Sequence, residues 1–432
     1  MTSNIKFILF AFIIIMTFSE GKSQSWLNFL LQNDFINFLF PKEPGLVRVR
    51  RMDRTKTIEN AKILDFVGMV EQHDYPAEEH NVTTEDGYNL IIHRISGSPL
   101  LDNNKGKKEI IFLQHGILAS SDYWILQGPG KDLAFLLADQ GYDVWLGNMR
   151  GNSYCRSHVN MTIYDPKFWQ YSFHEVGTKD LPAMFNYIFN YTDQKDLYYI
   201  GHSMGTTSLF SLLSTKPEYN IKIKMAICLA PVAFWVEVTP TFNTILNIFP
   251  IEVLRKREIY DFLPQSLTSV TIGRLLCNDN AITQFICITI LFFIVGRDPI
   301  QLNTTVLPDL LSHVPAGTSI QVLTHYYQNA YINDFRSYDY GTAENYKLYK
   351  QKTPPSYDLE KITAPMILFY ATNDMVAPKQ NVFELDKRLP NVFLIEKVPY
   401  ELFNHLDYIW SINGKTLLYD RILELIQKFY TI

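Results

Sequence analysis

The chain has 432 residues, a formal net charge of −5, and 47% hydrophobic, 19% charged and 14% aromatic residues. This composition fits a globular protein with a large core, and the length allows one large α/β domain with an insertion, or two domains. Basic residues cluster at Arg48-Val49-Arg50-Arg51, but the net charge is negative and nothing resembles a nucleic-acid surface, so no nucleic-acid partner is expected.

The first 23 residues read as a secretory signal peptide. Lys6 is the positive n-region, Phe7 to Phe18 is the apolar h-region, and Ser19, Gly21 and Ser23 offer small residues for cleavage. The run is too short to span a bilayer, so no transmembrane span is expected in the mature chain. Residues 24–58 form an N-terminal extension. Trp26 to Phe40 is aromatic and apolar, Pro41 and Pro44 interrupt it, and the R-x-R-R pattern at Arg48–Arg51 resembles a proprotein-convertase site. Residues up to Arg51 are therefore a candidate propeptide; a basic surface loop is the alternative. Export agrees with N-x-S/T sequons at Asn81, Asn160, Asn190 and Asn303. Of the cysteines, Cys228 lies in an apolar run and reads as a buried thiol. Cys277 and Cys287 are near enough in sequence to close a small loop, and are the disulfide candidates.

An α/β pattern begins near residue 60. Asn81 to Thr84 and Tyr88 to Ile95 flank Glu85-Asp86-Gly87 as a hairpin. Apolar strands follow at Glu109–Gln114, Tyr142–Leu146, Leu197–Ile200, Lys224–Leu229, Pro365–Tyr370 and Asn391–Val398. Separated by helical stretches, they imply a mostly parallel sheet covered on both faces. Residues 59–230 and 356–432 thus form the two parts of one core. Residues 231–355 break the rhythm with helical apolar pieces at Phe242–Leu254, Leu267–Leu276, Ala281–Val295 and Ile320–Tyr331. An insertion before the last strands is expected to lie over the C-terminal edge of the sheet as a helical cap or lid. A second lobe with no role in binding is the alternative.

The motif that carries chemistry is Gly201-His202-Ser203-Met204-Gly205. It follows a strand and opens the helix Thr206 to Lys216, which Pro217 stops. Strand, sharp turn and helix are the setting of a nucleophile elbow, in which glycines allow close approach and the serine hydroxyl stands clear. An acyl-transfer serine needs a base, an orienting carboxylate and an oxyanion hole. Asp374 lies just beyond a buried strand, and His405 lies in a loop after the last strand; they follow Ser203 in the order Ser, Asp, His. Asp407 is a rival acid, but follows the histidine. His202 points away from the serine by strand alternation, and His115, His313 and His325 come too early. The backbone N–H of Met204, after the nucleophile, and that of Ile117, in Gln114-His115-Gly116-Ile117-Leu118, are the expected oxyanion donors. H-E-x-x-H, C-x-x-C, Walker A and G-x-G-x-x-G patterns are all absent, so no metal and no cofactor are expected.

From about Val67 onward the chain resembles the acid lipase family, which includes gastric and lysosomal acid lipases. The resemblance rests on ordered blocks: Val82 to Tyr88, Phe112 to Gly116, Tyr142 to Asn148 with Arg150-Gly151-Asn152, the elbow, Pro315 to Ser319, and Asn404 to Trp410. It implies an α/β-hydrolase fold with a helical cap and lid, and hydrolysis of triacylglycerols or cholesteryl esters at a lipid–water interface. It also implies secretory or lysosomal delivery. The family's triad falls on Ser203, Asp374 and His405, and its oxyanion donors on Ile117 and Met204. A family disulfide falls near Cys277 and Cys287, whose spacing here is slightly longer. Vertebrate members have glutamine where this chain has Met204, a change that leaves the backbone amide intact. A carboxylesterase for small soluble esters and an inactive lipid-binding relative are the alternatives.

Overall fold

Apolar runs rich in β-branched and aromatic residues, bounded by polar turns, build the sheet. The computed structural model describes residues 40–41, 47–51, 62–102, 106–240, 251–279 and 281–430. The leader and most of the N-terminal extension lie outside the described residues. Arg48–Val49 (β1) pairs in parallel with Ile63–Leu64 (β2). Helix α1 (Phe66–Glu71) follows, its first turn capped by Asp65, which accepts the Gly68 N–H at 2.8 Å. Next come β3 (Ala77–Thr83) and β4 (Tyr88–Ile95), an antiparallel hairpin whose turn needs Gly87 at φ 94°. The first strand of this hairpin begins earlier than the sequence indicates. Its residues at the sheet edge are mixed polar and half-buried, so no apolar alternation marks the start.

The chain continues through β5 (Ile110–Gln114), α2 (Leu133–Asp139), β6 (Asp143–Leu146), β7 (Ser157–His158), α3 (Leu181–Thr192), β8 (Leu197–His202), α4 (Met204–Thr215) and β9 (Ile223–Leu229). After the insertion come β12 (Met366–Tyr370), β13 (Val392–Lys397) and the C-terminal helix Asp420–Tyr430. The sheet order is β13-β12-β9-β8-β5-β6-β4-β3, with β7 beside β4. Pairing is parallel from β13 to β6 and antiparallel beyond. Every residue of the central strands β5 and β8 is buried, which accounts for their continuous apolar character. The loops after the parallel strands therefore open on one edge, where open α/β sheets bind ligands.

Between β9 and β12 the described residues add no strand to this sheet. They form α5 (Ile251–Lys256), β10 (Asp261–Phe262), α6 (Leu267–Leu276), α7 (Gln284–Val295), α8 (Leu307–His313), β11 (Thr318–Ser319), α9 (Ile320–Ile332) and α10 (Thr342–Tyr349). The insertion is not purely helical, because β10 and β11 form an antiparallel pair. Two-residue strands are too short to show a period. Helices α8 and α10 also escape the apolar pattern, since one is short with Pro308 in its first turn and the other is largely polar. Of the helix expected over Phe242–Leu254, residues 242–250 lie outside the described residues. A disulfide joins Cys277, at the end of α6, to Cys287 in α7, and Cys155 and Cys228 are buried thiols. The sequon residues Asn81, Asn160 and Asn190 are exposed, and Asn303 is half-buried.

The R-x-R-R cluster is not a simple surface loop. Arg48 is half-buried, with its side chain only 8% exposed, and its Nη2 and Nε donate to Asp122 Oδ2 at 2.7 and 2.9 Å. Its guanidinium also lies 4.7 Å from the Tyr154 ring centroid. Arg50 donates to Asp65 on the surface at 2.8 Å. Removing residues up to Arg51 would withdraw the cation from a buried carboxylate. Arg48→Ala does the same, and is expected to lower unfolding free energy by roughly 3–5 kcal/mol. Urea denaturation checks this, and an unchanged midpoint would rule out a structural role for the pair.

Candidate active site

Ser203 sits between β8 and α4 at φ 53° and ψ −119°, a strained conformation for a residue with a side chain. Its neighbours hold it there. The Ser203 N–H donates to Leu229 O at 3.0 Å, and its carbonyl accepts from Thr206 N–H at 2.8 Å and Thr206 Oγ1 at 2.6 Å. Tyr199 OH donates to Gly205 O at 2.7 Å. The glycines are required by space. A Cβ on Gly205 would lie 2.5 Å from Gln114 O, and one on Gly201 would lie 3.1 Å from Gly205 C.

The loop after β5 packs directly on the elbow. A Cβ on Gly116 would come within 3.1 Å of Ser203 Cβ. Among the described residues, the N–H groups of Ile117 and Met204 donate to no protein acceptor. Met204 opens α4, so its amide adds to the positive end of the helix dipole. His115 fixes the loop from below. Its Nε2 accepts from Met149 N–H and Asn152 Nδ2, each at 3.3 Å, so its Nδ1–H must be the donor to Gly116 O at 2.7 Å. Burial lowers the His115 pKa to about 4, which keeps this donor-and-acceptor form neutral. The Arg150-Gly151-Asn152 block supplies that support. Arg150 is clamped by Asp180 at 2.8 Å and Asp86 at 2.8 and 3.0 Å, over the Tyr88 ring.

Asp374 and His405 come from the loops after β12 and β13, and the fold brings them together. His405 Nδ1–H donates to Asp374 Oδ2 at 2.8 Å, with Oδ1 at 3.1 Å. Asp374 Oδ1 also accepts the N–H groups of Val376 and Ala377, at 2.8 and 2.7 Å. That leaves His405 Nε2 as the basic nitrogen. His405 is seated on the elbow, with its ring centroid 4.7 Å from that of His202.

His202 has a part that strand alternation hides. Its Nε2–H donates to the His405 carbonyl at 3.0 Å, and Tyr123 OH approaches its Nδ1 at 3.4 Å. Burial first, then the charge of His405, pushes its pKa well below the ordinary value. It is thus a neutral bracket under His405. Asp407 is not the partner of the His405 ring. Its Oδ2 accepts the Asn404 N–H at 2.7 Å, bracing the loop. His313 and His325 bond backbone carbonyls of Asp309 and Arg336 within the insertion.

A family model described as a partial alpha/beta-hydrolase lipase region matches residues 66–128, and one for the alpha/beta hydrolase fold matches residues 109–410. The gastric triacylglycerol lipase of Homo sapiens is 38% identical over 83% of this chain and 90% of its own length. The chain belongs to the acid lipase family of α/β-hydrolases. The lysosomal acid lipase/cholesteryl ester hydrolase of Homo sapiens is a second relative of this lipase, 35% identical over 82% of this chain and 88% of its own length. The fold is also that of a putative lipase from Sulfolobus solfataricus, at a TM-score of 0.54 and 14% identity over 82% of this chain and 94% of that one.

The close approach of Gly205 to Gln114 makes the elbow sensitive to one methyl group. Gly205→Ala is expected to abolish labelling of Ser203 by a fluorophosphonate and to lower the unfolding temperature. Full labelling at wild-type rate would show that strand and helix tolerate the added carbon.

Proposed function

We propose that this chain hydrolyses lipid esters, triacylglycerols or steryl esters, at a lipid–water interface through an acyl intermediate on Ser203. The observation that carries this reading is His405, bonded through Nδ1 to Asp374 and seated on the elbow. In the mechanism, Ser203 Oγ attacks the ester carbonyl carbon while its proton passes to His405 Nε2. Asp374 stabilises the imidazolium. The carbonyl oxygen becomes an oxyanion that the Ile117 and Met204 amides bind, each worth about 2.7–4 kcal/mol in the transition state. Collapse breaks the C–O bond, and His405 returns the proton to the leaving alcohol. Water, deprotonated by the same nitrogen, then releases the fatty acid and restores the serine. The names of the gastric and lysosomal relatives support both ester classes.

Residues 231–355 act as a cap over this edge. The Ala316 N–H donates to Leu118 O at 2.6 Å, so the insertion touches the oxyanion loop. Its helix α7 reads Gln-Phe-Ile-Cys-Ile-Thr-Ile-Leu-Phe-Phe-Ile-Val, with no charged residue, and buries only Ile286 and Val295. Nearby Ile282 is 90% and Phe285 60% exposed. An all-round apolar helix left partly in water suits contact with a lipid surface. Among the described residues no helix is long and apolar enough to cross a membrane. The leader and the exposed sequons support passage through the secretory pathway, to the outside or to the lysosome.

Hydrolysis of triolein and cholesteryl oleate across pH, with Ser203→Ala as control, tests the reading. The variant is expected to lose at least about 10,000-fold in rate; equal rates would remove Ser203 from the chemistry. Phe285→Asp is expected to slow hydrolysis of emulsified triolein more than of monomeric p-nitrophenyl butyrate. Equal effects on both would detach α7 from lipid contact.

A further inference from the structure

The end of α7 runs into Gly296, Arg297 and Asp298, and this segment lies between the acid loop and the base loop. The Val295 carbonyl accepts the His405 N–H at 3.2 Å and the Met375 N–H at 3.4 Å, joining both loops at one oxygen. Gly296 O accepts from Asn404 Nδ2 at 3.1 Å, and Arg297 O accepts from Asn373 Nδ2 at 3.1 Å. Gly296 has φ 109°, and a Cβ there would lie 2.0 Å from Asn373 O, so only glycine can pass. Asp298 ends the segment fully buried. Its Oδ1 accepts the N–H groups of Ile300 and Gln301, at 3.0 and 3.2 Å, and Tyr400 OH at 3.3 Å. Its Oδ2 is buried with no hydrogen-bond partner, and the Asp298 carboxyl is a neighbour of the Asp407 carboxyl.

Two carboxyl groups in hydrogen-bond contact stay together only by sharing a proton. We propose that Val295–Asp298 is a strap that positions Asp374 and His405, and that a proton held by the Asp407 carboxyl and offered to the unpartnered Asp298 Oδ2 locks it. The inference rests on the triad reading above. It makes Asp298 and Asp407 positioning residues, with the cap helix tied directly to the base and acid. Burial, and then the Asp298 carboxyl, push Asp407 up to about 8. The other titratable groups facing the pair are Tyr400, Tyr408, Tyr419 and the Asp374 carboxyl, none of which supplies a cation. An unfolded aspartate titrates near ~3.9. Between that value and the raised one the folded chain holds the extra proton. The stability from the pair is therefore full below the unfolded value and is lost as pH rises through about 8.

Asp298→Asn removes the need for the proton. Its Oδ1 still accepts from Ile300 and Gln301, and its Nδ2 can donate to the Asp407 carboxylate. The full chain is assayed with soluble p-nitrophenyl butyrate from about pH 4 to 10, alongside thermal unfolding at each pH. The wild type is expected to lose about tenfold in kcat above pH ~8 with little change in KM, while its unfolding temperature declines as pH rises from about 4 and levels off above about 8. Asp298→Asn is expected to remove the loss of kcat above pH ~8 and to flatten the decline in unfolding temperature between about pH 4 and 8, and Asp407→Asn does the same from the other side. Asp298→Ala, which cannot bridge, is expected to lose about tenfold in kcat at every pH. Superimposable wild-type and Asn profiles, in rate and in unfolding temperature, would overturn the shared proton. If the wild type hydrolyses no ester, the triad reading fails, and the unfolding comparison still decides the lock.

Discussion

The left-handed backbone at Ser203 is the constraint from which the site is built. A serine at φ 53° is held only because its N–H, its carbonyl and the adjoining Gly205 carbonyl are all bonded. Such strain costs on the order of 1–3 kcal/mol and persists where surrounding structure over-determines it. Here the surroundings are β9, the first turn of α4 and the ring of Tyr199. The same turn brings α4 against the end of β5, so Ser203, the helix terminus and the loop of Ile117 meet at one place. Gly201, Gly205 and Gly116 are the points where backbones or a neighbouring Cβ come too near for a side chain.

Around that turn the polar groups are buried and largely neutral. His115 and His202 are both held uncharged by burial, and each uses one ring nitrogen to hold a carbonyl of the site. An ionised histidine in either place would repel a proton on the His405 ring. The charged groups are set farther back, as the clamp of Arg150 between Asp86 and Asp180 and that of Arg48 on Asp122. They fix the loops through ion pairs.

The insertion matters to the chemistry through backbone contacts. Ala316 touches the loop of Ile117, and Val295 bonds the loops of both His405 and Asp374. A movement of α7 would therefore reach the loops of His405 and Asp374 through one carbonyl. The disulfide ties α6, with exposed Leu267 and Leu275, to α7, with exposed Phe285.

Much of this was legible in the chain. The central strands appear as continuous apolar runs because they are buried on both faces, and the elbow appears because its glycines and serine are adjacent. Ser203, Asp374 and His405 follow from position after strands whose ends share one edge. Tertiary structure alone decided the rest. His202 alternates away from Ser203 along β8, yet it supports His405, a residue remote in sequence. The β10–β11 pair is too short for periodicity. Nothing local marks Val295, since a backbone carbonyl carries no residue type, and nothing pairs Asp298 with Asp407 until the insertion folds back. Sequence records which residues are apolar, small or reactive along one line. The bracket and the strap depend on which distant loops share a volume, and only the folded chain decides that.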